Sequence, residues 1–300
     1  MMRIVLTFFF AAVLIACESR RLEPDVDVVC DRCDEWNQPQ PAFRIYGNSW
    51  YVGTAGLSSI LVDSGDGLLL FDGGLPQSAE RIEANIQGLG FDPLRIKAIF
   101  VSHAHYDHAG GVAALQRLTG AKVYTSVEGA KSLSTGKLQP DDPQYSEDIA
   151  NGFAAVSNVV AVLDGDVLNV DGVTVEAVYT PGHTPGGMTW TWESCALTTC
   201  YQVVYADSLT SVSAEGYLFS AGPAANQIIE SADRISQLEC DILLSPHPFF
   251  FGMQDKLENR GEGNPFVNNV ACAIYADIVL DWLQQRLNAE RRVAIEIDVK

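Results

Sequence analysis

Positive charge is scarce in this chain. Its 300 residues carry 19 Lys and Arg against 38 Asp and Glu, a formal net charge of −19. A surface this acidic repels phosphate backbones and argues against a nucleic-acid partner; the plain reading is that it keeps the protein soluble. A run long enough to cross a membrane is also missing. The apolar stretch Ile4 to Ala16, interrupted by Thr7, falls short of the roughly 20 residues that a spanning helix needs. No convincing short-period repeat is present, which argues against solenoid and propeller architectures. Histidine is rare, with five in the whole chain. A chain of this length fits one large domain or two small ones, and it can bury a substantial core without staples.

What is present begins with that N-terminal stretch. Arg3 followed by a short apolar run has the form of a signal-peptide core. It ends in Leu14-Ile15-Ala16-Cys17, which resembles the lipobox of bacterial lipoproteins, where the Cys becomes the lipidated first residue. The expected organisation is a lipoprotein-type signal peptide over 1–16, an acidic tether over 17–40 and one domain over 41–300. A plain secretory signal is the alternative. Either way the protein is expected to be exported to the periplasm; in the lipoprotein reading a lipid on Cys17 is its only membrane attachment. Export to an oxidising compartment favours disulfides. Apart from Cys17, six cysteines remain of seven, and they fall into Cys30 with Cys33, Cys195 with Cys200, and Cys240 with Cys272. The last pair closes the longest loop and should stabilise most in a chain-entropy model. Cys30-Asp-Arg-Cys33 has the spacing of a redox or zinc motif but no partner motif, so a local disulfide or two free thiols are both open.

Residues 18–40 are polar and show no hydrophobic period, hence the tether. Strand-like runs follow at Phe43 to Val52, Ser58 to Val62, Leu68 to Phe71, Lys97 to Val101 and Ala121 to Ser126, with helical runs at Pro76 to Leu89 and Gly111 to Leu118. Gly136 to Gly152 reads as a polar loop at a site edge. A second β-rich half contains Val159 to Leu163, Val173 to Tyr179, Met188 to Trp192, Val203 to Tyr205 and Ile242 to Leu244, with a helix at Ala224 to Leu238. Pro265 to Leu287 reads as a closing helix with Val270, Ile274, Ile278 and Leu280 or Trp282 at core spacing. Two β-rich halves, each with helices, suit an α+β fold in which two sheets lie back to back between outer helices, a four-layer αββα sandwich.

The decisive stretch is Ser102-His103-Ala104-His105-Tyr106-Asp107-His108-Ala109-Gly110-Gly111, between a buried strand and a helix. His-x-His on extended backbone puts both imidazoles on one side. Imidazole nitrogens and a carboxylate are donors that Zn²⁺ accepts, and Asp-His at the next turn can reach a second ion. The other histidines sit in Thr180-Pro181-Gly182-His183-Thr184-Pro185-Gly186-Gly187 and Ser245-Pro246-His247-Pro248, both after strands in Gly/Pro-rich loops where functional groups are commonly presented. A lone histidine is most often a satisfied core residue. Here all five fall in three such loops, which leaves none for a structural role.

These motifs resemble the metallo-β-lactamase superfamily, and most closely the third subclass of the metallo-β-lactamases themselves. The resemblance runs from about Pro41 to Leu287. It takes in Phe43-Arg-Ile-Tyr-Gly-Asn, Tyr51-Val-Gly-Thr, Ser58-Ser-Ile-Leu, Asp72-Gly-Gly and Tyr205-Ala-Asp-Ser-Leu209. It implies the αββα fold and hydrolysis of a small-molecule substrate, the β-lactam antibiotics (penicillins, cephalosporins and carbapenems), by a hydroxide held between two Zn²⁺ ions. Carried over residue by residue, the first zinc is held by His103, His105 and His183, and the second by Asp107, His108 and His247. Asp107 would also orient the hydroxide, a catalytic role. Ser208 falls where the first subclass has a Cys ligand and is not expected to bind metal. Ser208 and Thr210 match positions that hold the substrate carboxylate, with ordinary loop hydroxyls as the bland alternative. Cys240 and Cys272 match a disulfide of that subclass. Ala55 stands where some relatives carry a Cys paired to an N-terminal one, which leaves the pairing of Cys30 and Cys33 open. Asp72 is a further family position, expected to orient ligands rather than bind metal. The protein is expected to act as a monomer.

The same ligands serve lactone and thioester hydrolases within the superfamily, so fold and metal do not fix the substrate. Those relatives commonly bridge the metals with an Asp near the position of Asp207. A zinc-binding protein without catalysis is the reading from another class. Three protein ligands per ion leave a coordination position open, which favours an enzyme.

Overall fold

The computed structural model describes residues 20–146, 152–259, 261 and 263–298; Cys17 and the expected signal peptide lie outside them. The chain first builds a seven-stranded mixed sheet in the order β1 to β7: Phe43–Tyr46, Ser49–Tyr51, Ile60–Asp63, Leu68–Phe71, Ile96–Phe100, Lys122–Ser126 and Val159–Val162. Neighbours are antiparallel from β1 to β4 and parallel from β4 to β7. A five-stranded sheet follows, made of β8 (Val167–Val170), β9 (Val173–Tyr179), β10 (Met188–Ala196), β11 (Thr199–Tyr205) and β12 (Ile242–Leu244), with only the β11–β12 pair parallel. The run expected as one strand from Phe43 to Val52 is a hairpin. Its turn uses Gly47 at φ 50°, where a Cβ would sit 2.4 Å from the Cys195 carbonyl oxygen.

Alternation along β4 and β5 explains the layers. All four residues of β4 are buried because both faces of the sheet are covered. Phe71 points to the second sheet, stacking on Trp192 at 4.3 Å and on Phe100 at 4.9 Å. Leu68, Leu70 and Ile99 point the other way, into a cluster with Ile82 and Ile86 of the helix Ala79–Gly88 and with Leu115 of the helix Val112–Thr119. The helices Ala224–Ser236 and Ala271–Asp298 pack on each other and join Val204 and Leu243 of the second sheet through Ile228, Ile235, Tyr275 and Val279. The arrangement is the expected four-layer α+β sandwich.

Three expectations change. The closing helix starts at Ala271 rather than Pro265, because Asn264 and Asn268 accept hydrogen bonds from the backbone N–H of Phe266 and Val270 and hold that stretch in turns. It also buries a different stripe. Tyr275, Ala276, Val279 and Leu283 face the core; of the expected residues Leu280 packs against it, while Val270 is 53% exposed, Ile274 48% and Trp282 37%. The stretch expected as a tether is partly docked. Val28 exchanges backbone hydrogen bonds with the Gln77 amide, Asp25 pairs with Arg117, and a helical turn, Cys33–Trp36, packs on Leu57 and Leu75. Cys30–Cys33, Cys195–Cys200 and Cys240–Cys272 are disulfides. The second of these ties the end of the β10–β11 hairpin, which runs several residues beyond the two apolar runs that signalled it, where its side chains are largely exposed.

Candidate metal centre

The histidine-rich stretch leaves β5 and stays extended through His105, with φ −95° and ψ 155°, before the helical turn Tyr106–Ala109. His103, His105, Asp107 and His108 are all buried. His183 lies in the loop after β9, fixed by Gly182 at φ 136°, where a Cβ would meet Ile228 at 2.6 Å. His247 follows β12. Loops from both sheets therefore meet at one edge of the sandwich, and they bring together all six residues singled out from the sequence.

They form two adjoining sets. The rings of His103, His105 and His183 are 4.8–4.9 Å apart at interplanar angles of 73–90°, so their nitrogens converge instead of stacking. One donor atom from each lies within 4.8 Å of the others, and the same holds for His103, Asp107 and His108. His247 completes the second set: its ring is 4.8 Å from that of His108, and its Nε2 is 3.4 Å from Asp107 Oδ2. His108 Nε2 is 3.0 Å from the same oxygen.

A metal suits this arrangement for two reasons. His103 Nε2 and His108 Nδ1 are buried without a hydrogen-bond partner among the described residues, a costly state unless something else takes their lone pairs. Burial also favours the neutral, ligating form of three of the rings. Burial lowers His183 to about 3 and His108 to about 4, and it holds His103 well below its ordinary value. Burial would raise Asp107, but His108 and His247 outweigh it and hold the carboxyl well below the usual range, ionised.

The groups behind the rings were not all singled out in advance. Asp207 Oδ1 lies 2.7 Å from His103 Nδ1, which turns Nε2 inward. Asp142, from the polar loop, lies 3.1 Å from His105 Nε2 and leaves Nδ1 to face the site. Burial alone would lower His105, but the Asp142 carboxylate outweighs it and the net direction is up. The amide nitrogen of Gln144 sits 3.3 Å from His105 Nδ1. His183 Nδ1 donates to the Thr210 carbonyl at 2.9 Å, with the Thr210 hydroxyl at 3.0 Å. His247 Nδ1 lies 3.3 Å from the Gly56 carbonyl oxygen. Such outer partners fix tautomer and ring orientation, and losing one typically weakens metal binding about 10- to 100-fold. Asp142→Ala is therefore expected to weaken any metal binding at His103, His105 and His183 about tenfold, read by competition with a chromophoric chelator; unchanged affinity would show that His105 needs no such support.

Asp207 thus stands on the Nδ1 side of His103, which differs from the bridging place weighed for a lactone hydrolase. Thr210 lies behind His183, with its hydroxyl 3.0 Å from Nδ1 of that ring. Ser208 Oγ is buried with no partner among the described residues. Asp72, at φ 56° where β4 ends, accepts from the Ser102 N–H, the Ser102 hydroxyl and the Tyr205 hydroxyl, each at 2.7 Å. Burial pushes its carboxyl up to about 7 against those bonds. It orients the residue before His103, and among the described residues its carboxylate hydrogen-bonds to no member of the two sets.

Comparison with solved structures settles the family. The Rm3 metallo-beta-lactamase matches 88% of this chain and 100% of its own at 42% identity, with a TM-score of 0.85. The chain belongs to the metallo-β-lactamase superfamily. The superfamily model matches residues 53–197, which include five of the six candidate ligands. MEM-A1, a subclass B3 metallo-beta-lactamase isolated from a soil metagenome library, matches 86% of this chain and 99% of its own at 40% identity, with a TM-score of 0.82. Among curated proteins, an atrochrysone carboxyl ACP thioesterase of Aspergillus fumigatus is 29% identical over 166 residues, which are 55% of this chain and 42% of that protein. The chain spans less than half the length of that curated relative. This member of the superfamily is a hydrolase with the residues for a metal centre.

Proposed function

We propose that the protein is a zinc-dependent β-lactamase that opens the β-lactam amide of penicillins, cephalosporins and carbapenems. The observation that supports it most is the pair of adjoining donor sets on a scaffold shared, at 40–42% identity, with subclass B3 enzymes. In this reading His103, His105 and His183 hold one Zn²⁺, and Asp107, His108 and His247 hold a second. Bound zinc supplies Lewis acidity for a carbonyl oxygen and lowers the pKa of water from 15.7 to about 7.

The chain's own residues do the rest. Asp107 accepts a hydrogen bond from the attacking water and aligns it. Asp207, Asp142 and Thr210 keep three imidazoles in the tautomers that face the site. Ser208 and Thr210 are the hydroxyls that would meet the substrate carboxylate. No nucleophilic serine is required, because every histidine is engaged and none remains as its base. The enzyme would act as a monomer in the periplasm, with a lipid on Cys17 as its anchor.

A thioesterase activity is the second reading, favoured by the curated relative and by the shared chemistry of delivering water to an acyl carbon. Turnover of a carbapenem and a cephalosporin by zinc-loaded protein, abolished by a chelator and restored by Zn²⁺, is the expected result. Hydrolysis of acyl thioesters with no lactam turnover would replace the first reading with the second.

A further inference from the structure

The Cys30-Asp-Arg-Cys33 motif is not used by the proposed reaction, yet it is joined to the metal centre by a short series of contacts. Cys33 is 3% exposed and packs on Leu57 and Leu75, with Cys30, Trp36 and Tyr106 around them. The turn that Cys33 begins ends at Trp36. Its carbonyl accepts from the Thr54 hydroxyl at 2.7 Å and the Gly56 N–H at 3.1 Å. Gly56 lies so close that a Cβ there would meet Trp36 Cα at 2.7 Å. Gly56 in turn presents its carbonyl oxygen to His247 Nδ1 at 3.3 Å, and the Trp36 ring lies 5.4 Å from the His247 ring. The disulfided turn therefore holds His247 by two routes, one through Gly56 and one through Trp36.

We propose that Cys30–Cys33 is a thiol–disulfide exchange site for dithiols, and that its reduction loosens the hold on His247. The metal half of this rests on the reading of His247 as a ligand. Two features mark this disulfide as the exchangeable one near the site. Its partners are 3 residues apart, against 32 for Cys240–Cys272, so loop closure stabilises it least. Cys30 is only partly buried, so an incoming thiolate can reach its sulfur. Attack there forms a mixed disulfide and releases Cys33 as a thiolate, which takes a proton from solvent. The second thiol of the reagent then displaces Cys30. Two electrons and two protons pass to the protein, and the dithiol leaves as its own disulfide.

The test compares wild type with Cys30→Ser/Cys33→Ser, each untreated and after treatment with dithiothreitol that is removed by anaerobic gel filtration before zinc is added. It reads trypsin cleavage at Arg32 and Zn²⁺ affinity by competition with a chromophoric chelator. Reduced wild type is expected to be cut faster at Arg32 and to hold the zinc assigned to Asp107, His108 and His247 about tenfold less tightly. The double variant should show that weakened affinity from the start and no further response to dithiothreitol. A response of equal size in the double variant would assign the effect to Cys195–Cys200 or Cys240–Cys272 and overturn the proposal. So would faster cleavage with unchanged zinc affinity. If neither form binds zinc, the metal reading fails and takes the link to His247 with it, while cleavage at Arg32 still decides whether dithiols open the turn.

Discussion

Replacing Asp107 by alanine is expected to lower kcat/KM for a carbapenem by on the order of 10³-fold, the scale seen when one preorganised polar group is removed from a reacting centre. Asp107 is the only carboxylate in the two donor sets, and its Oδ2 stands within 3.4 Å of both His108 and His247. Alanine takes away the charge that both rings face and the acceptor that aligns water. Asp107→Asn keeps the volume and loses the charge, so it should fall nearly as far. Circular dichroism and metal content would be measured alongside the kinetics. Wild-type turnover with wild-type metal content in either variant would sink the mechanism.

The largest effect on stability is expected at Trp192. Its side chain is 2% exposed between the sheets, stacks on Phe71 at 4.3 Å, and donates its indole N–H to the Ser49 hydroxyl at 3.0 Å. Truncation to alanine leaves a large cavity in the layer that joins the sheets. A buried Trp→Ala change costs about 3–5 kcal/mol, a large part of the roughly 5–15 kcal/mol that holds a domain together. A fall in melting temperature on the order of 10 °C follows for a protein of this size. Trp192→Phe should lose far less, since it keeps the stack and gives up only the hydrogen bond. A melting temperature within a degree or two of wild type for Trp192→Ala would show that the sheets do not depend on this contact.

The metal centre was legible in the sequence because its residue types are rare and its spacing is tight. Five histidines in three strand-end loops left little else for them to do. The groups that orient them were not legible for the opposite reason. Asp142 is one acidic residue among 38, 37 positions from the ring it meets, with nothing local to distinguish it; Asp207 is noticed only through the resemblance and as a bridging candidate, and its place behind His103, 104 positions away, has no local signal. The closing helix misled for a third reason. It carries two apolar stripes, and spacing alone cannot say which one the second sheet covers. The N-terminal stretch lacks a hydrophobic period because its docking residues are irregularly spaced: Val28, Cys33 and Trp36 gather around Leu57 and Leu75 while Val26 and Val29 stay exposed.

That every histidine sits in the centre has a practical consequence for spectroscopy. Imidazole resonances selectively labelled with ¹⁵N would report on this site and nothing else. Tautomer, protonation and metal contact could then be followed ring by ring in the intact protein, without a probe being attached.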